Sequence, residues 1–154
     1  MNHRQRTDLE NYLSLLMHGH THALTVTLHN DRFQESILNR RLRFEATILH
    51  MLYRIARICF KRSHKRKGYR IGAVTVLEGG GDATRLHAHL ALLCPPLISD
   101  EQFQSAVSTA VRKCKSLGLE YRLKPITDSN GWAIYLAKEG VEAFSPRCTQ
   151  TAKY

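Results

Sequence analysis

The order of hydrophobic patterns predicts an α+β domain in which an antiparallel sheet carries helices on one face. Three observations point there. Residues 22–29, HALTVTLH, alternate between apolar and polar side chains with the two-residue period of a strand. From Arg32 to about Arg62 the period becomes helical, with Ile37, Leu38, Phe44, Ile48, Leu49, Met51, Leu52, Ile55, Ala56 and Cys59 on one broad stripe. Two short apolar runs, 71–77 and 85–93, then flank a glycine-rich connection, as the arms of a hairpin do. At 154 residues, the chain fits one domain spanning 1–154 with a substantial core.

Each element follows in turn. Residues 1–18 are polar apart from the cluster Tyr12 to Met17, and are expected to be a peripheral N-terminal segment holding a short helix. In the first strand Leu24, Val26 and Leu28 share one face, and Ala23, Thr25 and Thr27 the other. One long helix, kinked or straight, fits 32–62, and its polar stripe is Arg40, Arg43, Thr47, His50, Arg54, Arg57 and Lys61. KRSHKRKGYR, 61–70, reads as a basic turn. Ile71 to Leu77 is a strand, EGGGDAT (78–84) the hairpin connection, and RLHAHLALL the returning strand, stopped by Cys94-Pro95-Pro96. Ser99 with Gln102 three residues on has the spacing of a capping box and opens a helix to about Leu117. GLEYRLKPI, 118–126, alternates as a strand, and Asp128 caps a last helix that runs through Glu139 to Gly140. The first six of these seven elements match a split β-α-β sheet of ferredoxin-like or RRM-like type. Two helices cover one face, and the seventh element lies on the otherwise open one.

Composition narrows the partners. Lys and Arg number 23 against 13 Asp and Glu, a formal charge of +10 that favours polyanions, nucleic acid before anionic membrane. No stretch is long and apolar enough for a membrane span, and MNHRQRTDLE lacks the apolar run of a secretion signal. The four cysteines, far apart, have neither zinc-finger nor redox spacing, so a reducing cytoplasm is the expected setting.

Chemistry concentrates in RLHAHLAL, 85–92. His87 and His89 share one strand face while Leu86, Ala88, Leu90 and Leu92 share the other. Sending every apolar set to the helices leaves Thr25, Thr27, His87, His89, Arg122 and Lys124 on the open face. Symmetric pairing about the connection places Glu78 across from His87. Two imidazoles and a carboxylate then converge, leaving positions for water or substrate as a catalytic metal requires. A second histidine set, His18, His20 and His22 in HGHTH, is read as incidental because Gly19 and Thr21 make it turn-like and no carboxylate is spaced to join it.

GWAIYLAKEG sets Tyr135 and Lys138 one helical turn apart. A threonine-bearing strand (Leu24-Thr25-Val26-Thr27-Leu28), then His87-Ala88-His89, then Tyr135-Leu136-Ala137-Lys138, in that order over nearly the whole chain, resembles the HUH endonucleases, in particular the single-tyrosine initiators of rolling-circle replication. The resemblance implies a sequence-specific, metal-dependent nickase and strand transferase. It implies manganese or magnesium at Glu78, His87 and His89, and attack by Tyr135, assisted by Lys138, to leave a 5′-phosphotyrosine. An unassisted phenol ionises only near pH ~10, so the metal and the ammonium are expected to help. Implied partners are single-stranded or extruded origin DNA of a plasmid or phage, with a host helicase and polymerase, in the cytoplasm of a bacterial or phage-infected cell. Arg122 and Lys124, and the basic turn residues Lys65, Arg66, Lys67 and Arg70, are the expected DNA contacts. Single-tyrosine transposases and relaxases share the histidine motif. A non-catalytic RRM-like binder would instead want stacking aromatics on the open face, where this sequence offers Thr, His, Arg and Lys, with Tyr121 directed to the core.

Overall fold

The computed structural model describes residues 1–81 and 84–154, so Asp82 and Ala83 of the expected hairpin connection lie outside the described residues. The elements run α1 (His3–Leu16), β1 (His22–Thr27), α2 (Ile37–Phe60), α3 (Arg62–Lys67), β2 (Gly72–Glu78), β3 (His87–Leu93), α4 (Asp100–Lys113), β4 (Arg122–Pro125) and α5 (Ser129–Ala137), then a 3-10 turn (Val141–Ala143). The fold is α+β. Its four strands lie in the order β2-β3-β1-β4, and all neighbours are antiparallel.

Alternation decides which side chains meet. Leu24 and Val26 of β1, and Leu28 just after it, join Leu86, Ala88, Leu90 and Leu92 beneath α2 and α4, which contribute Phe44, Ile48, Met51, Leu52 and Ile55, and Phe103, Val107 and Val111. Each of these side chains larger than alanine, removed from water, contributes about 1.5–3 kcal/mol. The helix starts are the sequence's own: Ser36 Oγ accepts from Asn39 N, and Ser99 and Gln102 exchange two hydrogen bonds of 3.1 and 3.0 Å. Asp128 Oδ1 accepts from Gly131 N at 2.9 Å.

The second face departs from expectation. The N-terminal segment, expected at the periphery, forms the 14-residue helix α1, capped reciprocally by Asn2 and Gln5. Its Leu9, Leu13 and Met17 are buried against α5 and the sheet, in a second core with Val74, Val76, Ala91, Ala133, Leu136 and Ala137. The face expected to be open apart from the last helix therefore carries a layer of two helices. The cause lies in β2, which is buried on both faces along its whole length.

Three further differences concern charged or terminal residues. The long helix stops at Lys61, whose φ of 51° is left-handed, and the basic turn coils into α3, which ends at Gly68 with φ 66°. Arg40, assigned to the solvated stripe, is instead buried. It grips Asp31 with two hydrogen bonds of 2.8 and 2.7 Å and donates to Gly80 O and Thr84 O, each at 3.1 Å. Asp31 Oδ2 also accepts from Leu86 N at 2.9 Å, so the pair ties both ends of the β2–β3 connection to α2. Finally, the C-terminal residues run along the outer edge of β2, bridging Val76 to Phe144, Ala73 to Gln150 and Arg70 to Lys153. That cover removes an exposed strand edge.

Hydrogen bonding from Arg40 outweighs burial and holds the Asp31 carboxyl below its usual range. A depressed folded-state value contributes stability above the unfolded pKa near ~3.9, and that stability disappears as pH falls through the folded value. Arg40→Ala should lower the unfolding free energy by about 3–5 kcal/mol, seen as a drop in the urea midpoint at pH 7. Asp31→Asn should in addition flatten the acid limb of stability against pH. An unchanged midpoint for Arg40→Ala would remove the clamp from the account.

Candidate metal centre and its tyrosine

Strand register assembles the cluster. Glu78 pairs with His87 and Val76 with His89 across the hairpin, while Thr27 and Thr25 of β1 face the same two histidines from the other side. The turn that allows this needs glycine: Gly79 has φ +82°, and a Cβ there would lie 2.5 Å from Arg85 O. Glu78 Oε2 lies 3.0 Å from His87 Nε2 and 3.3 Å from His89 Nε2. One ligand atom from each of Glu78, His87 and His89 lies within 4.8 Å of the others, and together they can hold a metal ion.

Burial is graded across the trio. The Glu78 and His89 side chains are almost enclosed, whereas 31% of the His87 side chain is exposed, so solvent and ligands reach the cluster from the His87 side. Burial pushes the His89 imidazole below its usual value, which keeps it neutral at pH 7 and leaves a lone pair to donate. Its Nδ1 lies 2.9 Å from Thr25 Oγ1. With Nδ1–H donated to that hydroxyl, Nε2 is the free donor, turned toward Glu78. Burial works against the charged form of Glu78, yet the attraction to His89, the hydrogen bond and charge of Lys138 and the hydrogen bond to His87 together outweigh it, and the carboxyl sits below its usual value. Two imidazole nitrogens, one enclosed carboxylate and a solvent-facing side suit a divalent ion with three protein ligands and open positions.

Helix α5 brings the remaining chemistry. Ala133, Leu136 and Ala137 seat it on the sheet, which turns Tyr135 and Lys138 toward the cluster. The Tyr135 hydroxyl is 3.4 Å from His89 Nε2, and Lys138 Nζ is 3.2 Å from Glu78 Oε1. Lys138 Nζ also stands 4.1 Å from the centre of the Tyr135 ring. Burial disfavours its charge, but hydrogen bonds to Tyr135 and Glu78 prevail and its pKa is raised, so it is an ammonium at neutral pH.

Sequence reasoning missed one residue here. The Trp132 indole stacks on the Tyr135 ring at 5.0 Å with 12° between planes, and meets His89 edge-on at 6.0 Å. Its signal was its place one turn before Tyr135. Thr25 had been placed on the right face, but without its bond to His89. Arg122, exposed on β4, pairs with Thr25, and Lys124 with Ala23, so both stand on the metal side of the sheet beyond β1. Lys65, Arg66, Lys67 and Arg70 are not brought to the cluster. They precede Gly72, which starts β2 at the end opposite Glu78, about 20 Å away along six residues of strand. In HGHTH, His22 turns inward to lie 2.7 Å from Asp100 Oδ1, and the three histidines form no ligand group among the described residues.

Comparison of the chain with family models, curated proteins and solved structures finds no match. The geometry therefore stands by itself.

Trp132 is the chain's one tryptophan, so its fluorescence reports directly on this cluster. Titration with Mn²⁺ should quench it saturably, and Glu78→Gln should abolish saturation. Thr25→Val, which frees the His89 ring, should weaken binding about tenfold. Equal titration curves for wild type and Glu78→Gln would mean that these residues are not ligands.

Proposed function

We propose that this protein is a metal-dependent, sequence-specific endonuclease and strand transferase of the HUH class that nicks single-stranded DNA and stays joined to it through Tyr135. Its role on that reading is to initiate rolling-circle replication of a plasmid or phage, with host helicase and polymerase completing the work in the cytoplasm. The observation that carries the proposal is the Tyr135 hydroxyl, 3.4 Å from His89 Nε2 at the edge of a group able to hold a metal. The strand order β2-β3-β1-β4, with α2 and α4 as crossovers, supports a ferredoxin-like reading of the sheet. So does the position of the tyrosine helix on the opposite face.

Manganese or magnesium, held by Glu78, His87 and His89, would polarise a backbone phosphate and offset charge in the transition state. The chain's own groups do the rest. His89, neutral and fixed by Thr25, and Glu78, ionised beside Lys138, present their lone pairs without rearrangement. The Trp132 indole and the Lys138 ammonium hold the phenol ring in place. The Tyr135 oxygen attacks phosphorus and loses its proton, the bond to the 3′ oxygen breaks, and that oxygen leaves as a hydroxyl. One phosphodiester replaces another, so rejoining needs no nucleotide. Arg122 and Lys124, on the same face beyond β1, would contact the strand beside the cluster, and duplex DNA would hide the phosphate that the phenol must approach. A purely binding sheet would present stacking aromatics from its strands. On the metal face β1, β2 and β3 offer Ala23, Thr25, Val74, Val76, His89 and Ala91.

Incubation with Mn²⁺ and a pool of single-stranded oligonucleotides should give a protein–DNA adduct that survives denaturation and maps to Tyr135. Tyr135→Phe should abolish it, and Lys138→Ala should slow its formation about a hundredfold. An adduct of undiminished yield in Tyr135→Phe would place the nucleophile elsewhere.

A further inference from the structure

The helix side of the sheet carries a second charged surface that the chemistry above does not use. Along α2, His50, Arg54 and Arg57 follow steps of four and three residues, and Lys61 caps the helix four residues on, so they form one ridge about 16 Å long. Lys113 and Lys115, at the end of α4, stand across a groove of about 460 Å³ that His50 and Arg54 also line. His50, Arg57, Lys61, Lys113 and Lys115 are exposed. Arg54 donates from Nε to His50 Nε2 at 2.8 Å, which aims its fork along the ridge. Among the described residues none of these cations forms an ion pair with a carboxylate, whereas Arg6, Arg32, Arg40, Arg43 and Arg147 all do.

We infer that this ridge and groove bind the backbone of double-stranded DNA without reading its sequence. A rigid row of that length spans about five base pairs at 3.4 Å each. Guanidinium forks match phosphate oxygens. Single-strand grips interleave stacking aromatics, and Tyr53, which lines the surface beside Arg57 and Lys61, is engaged edge-to-face with His64. Membrane-binding faces insert large apolar side chains, and the groove lining offers only Ala46 and Cys114. Because α2 and α4 cover the Leu24 and Leu90 side, this surface lies across the sheet from His89. The protein can thus hold a duplex behind the sheet while a different segment occupies the metal side.

The test is anisotropy of a labelled, blunt 20-base-pair duplex titrated with the full chain across a KCl series. The neutral variant Arg54→Gln/Arg57→Gln/Lys113→Gln/Lys115→Gln should lose at least tenfold in affinity, and its slope of log affinity against log salt should shrink by about 3.6. The charge-keeping variant Arg54→Lys/Arg57→Lys should stay within about threefold of wild type. Unchanged duplex binding in the neutral variant overturns the inference, as does an equal loss in the charge-keeping one. Tighter wild-type binding to vesicles containing phosphatidylserine than to the duplex also overturns it. A chain that binds duplex through this ridge but forms no adduct at Tyr135 would retain this surface and lose the nuclease reading, so the two fail separately.

Discussion

One enclosed carboxylate ties the site together. Glu78 reaches His87 and His89 with one oxygen and Lys138 with the other, so the hairpin and the last helix meet on a single side chain. An ionised carboxylate so deprived of water is costly unless its partners stay in place. The surrounding structure meets that demand from several directions. The Gly79 turn fixes the register that sets Glu78 opposite His87, and the Arg40–Asp31 pair holds the connection from behind. The buried alanines of α5 fix the height at which Lys138 arrives.

The same constraint explains why the metal face could not remain open. A helix bearing Tyr135 and Lys138 must be held to better than an ångström for its contacts to persist, and α5 has only nine residues. Helix α1 supplies the support: Leu9, Leu13 and Met17 pack with Ala133, Leu136 and Ala137, and Ser14 Oγ donates to Asn130 Oδ1 at 3.0 Å. An isolated helix of that length is marginal in water, so its order comes from packing. The N-terminal segment is therefore a support for the tyrosine helix.

These contacts also separate what was legible in the sequence from what was not. Period-two and helical patterns are local, and they located all four strands and the helices of the first core. Symmetry about a glycine-rich turn was enough to set Glu78 against His87. The spacing of Tyr135 and Lys138 placed both on one helical turn, and both reach the cluster. Long-range pairing, by contrast, leaves no periodic trace. Arg40 sits on the polar side of its helix by pattern, and only Asp31, nine positions earlier, explains its burial. The strand-edge cover by residues 144–153 and the docking of α1 are of the same kind: neither segment has a strong pattern, and each is positioned by distant partners.

A two-faced sheet separates precision from affinity. In the cluster on the metal side Glu78, His87, His89 and Lys138 contact one another, and distances near 3 Å leave little freedom. On the helix side Arg54, Arg57, Lys113 and Lys115 stand, among the described residues, without carboxylate partners, held by the apolar core beneath them. Unpaired cations on a solvated ridge bind a polyanion with little specificity, because Coulomb attraction falls slowly with distance and tolerates misalignment. Paired, desolvated groups do the reverse: they tolerate no misalignment and fix a single geometry. Because successive residues of β1 and β3 point to opposite sides, one strand serves both ends at once. Thr25 and His89 shape the candidate metal site, while Leu24 and Leu90 anchor the helices that carry the positive ridge.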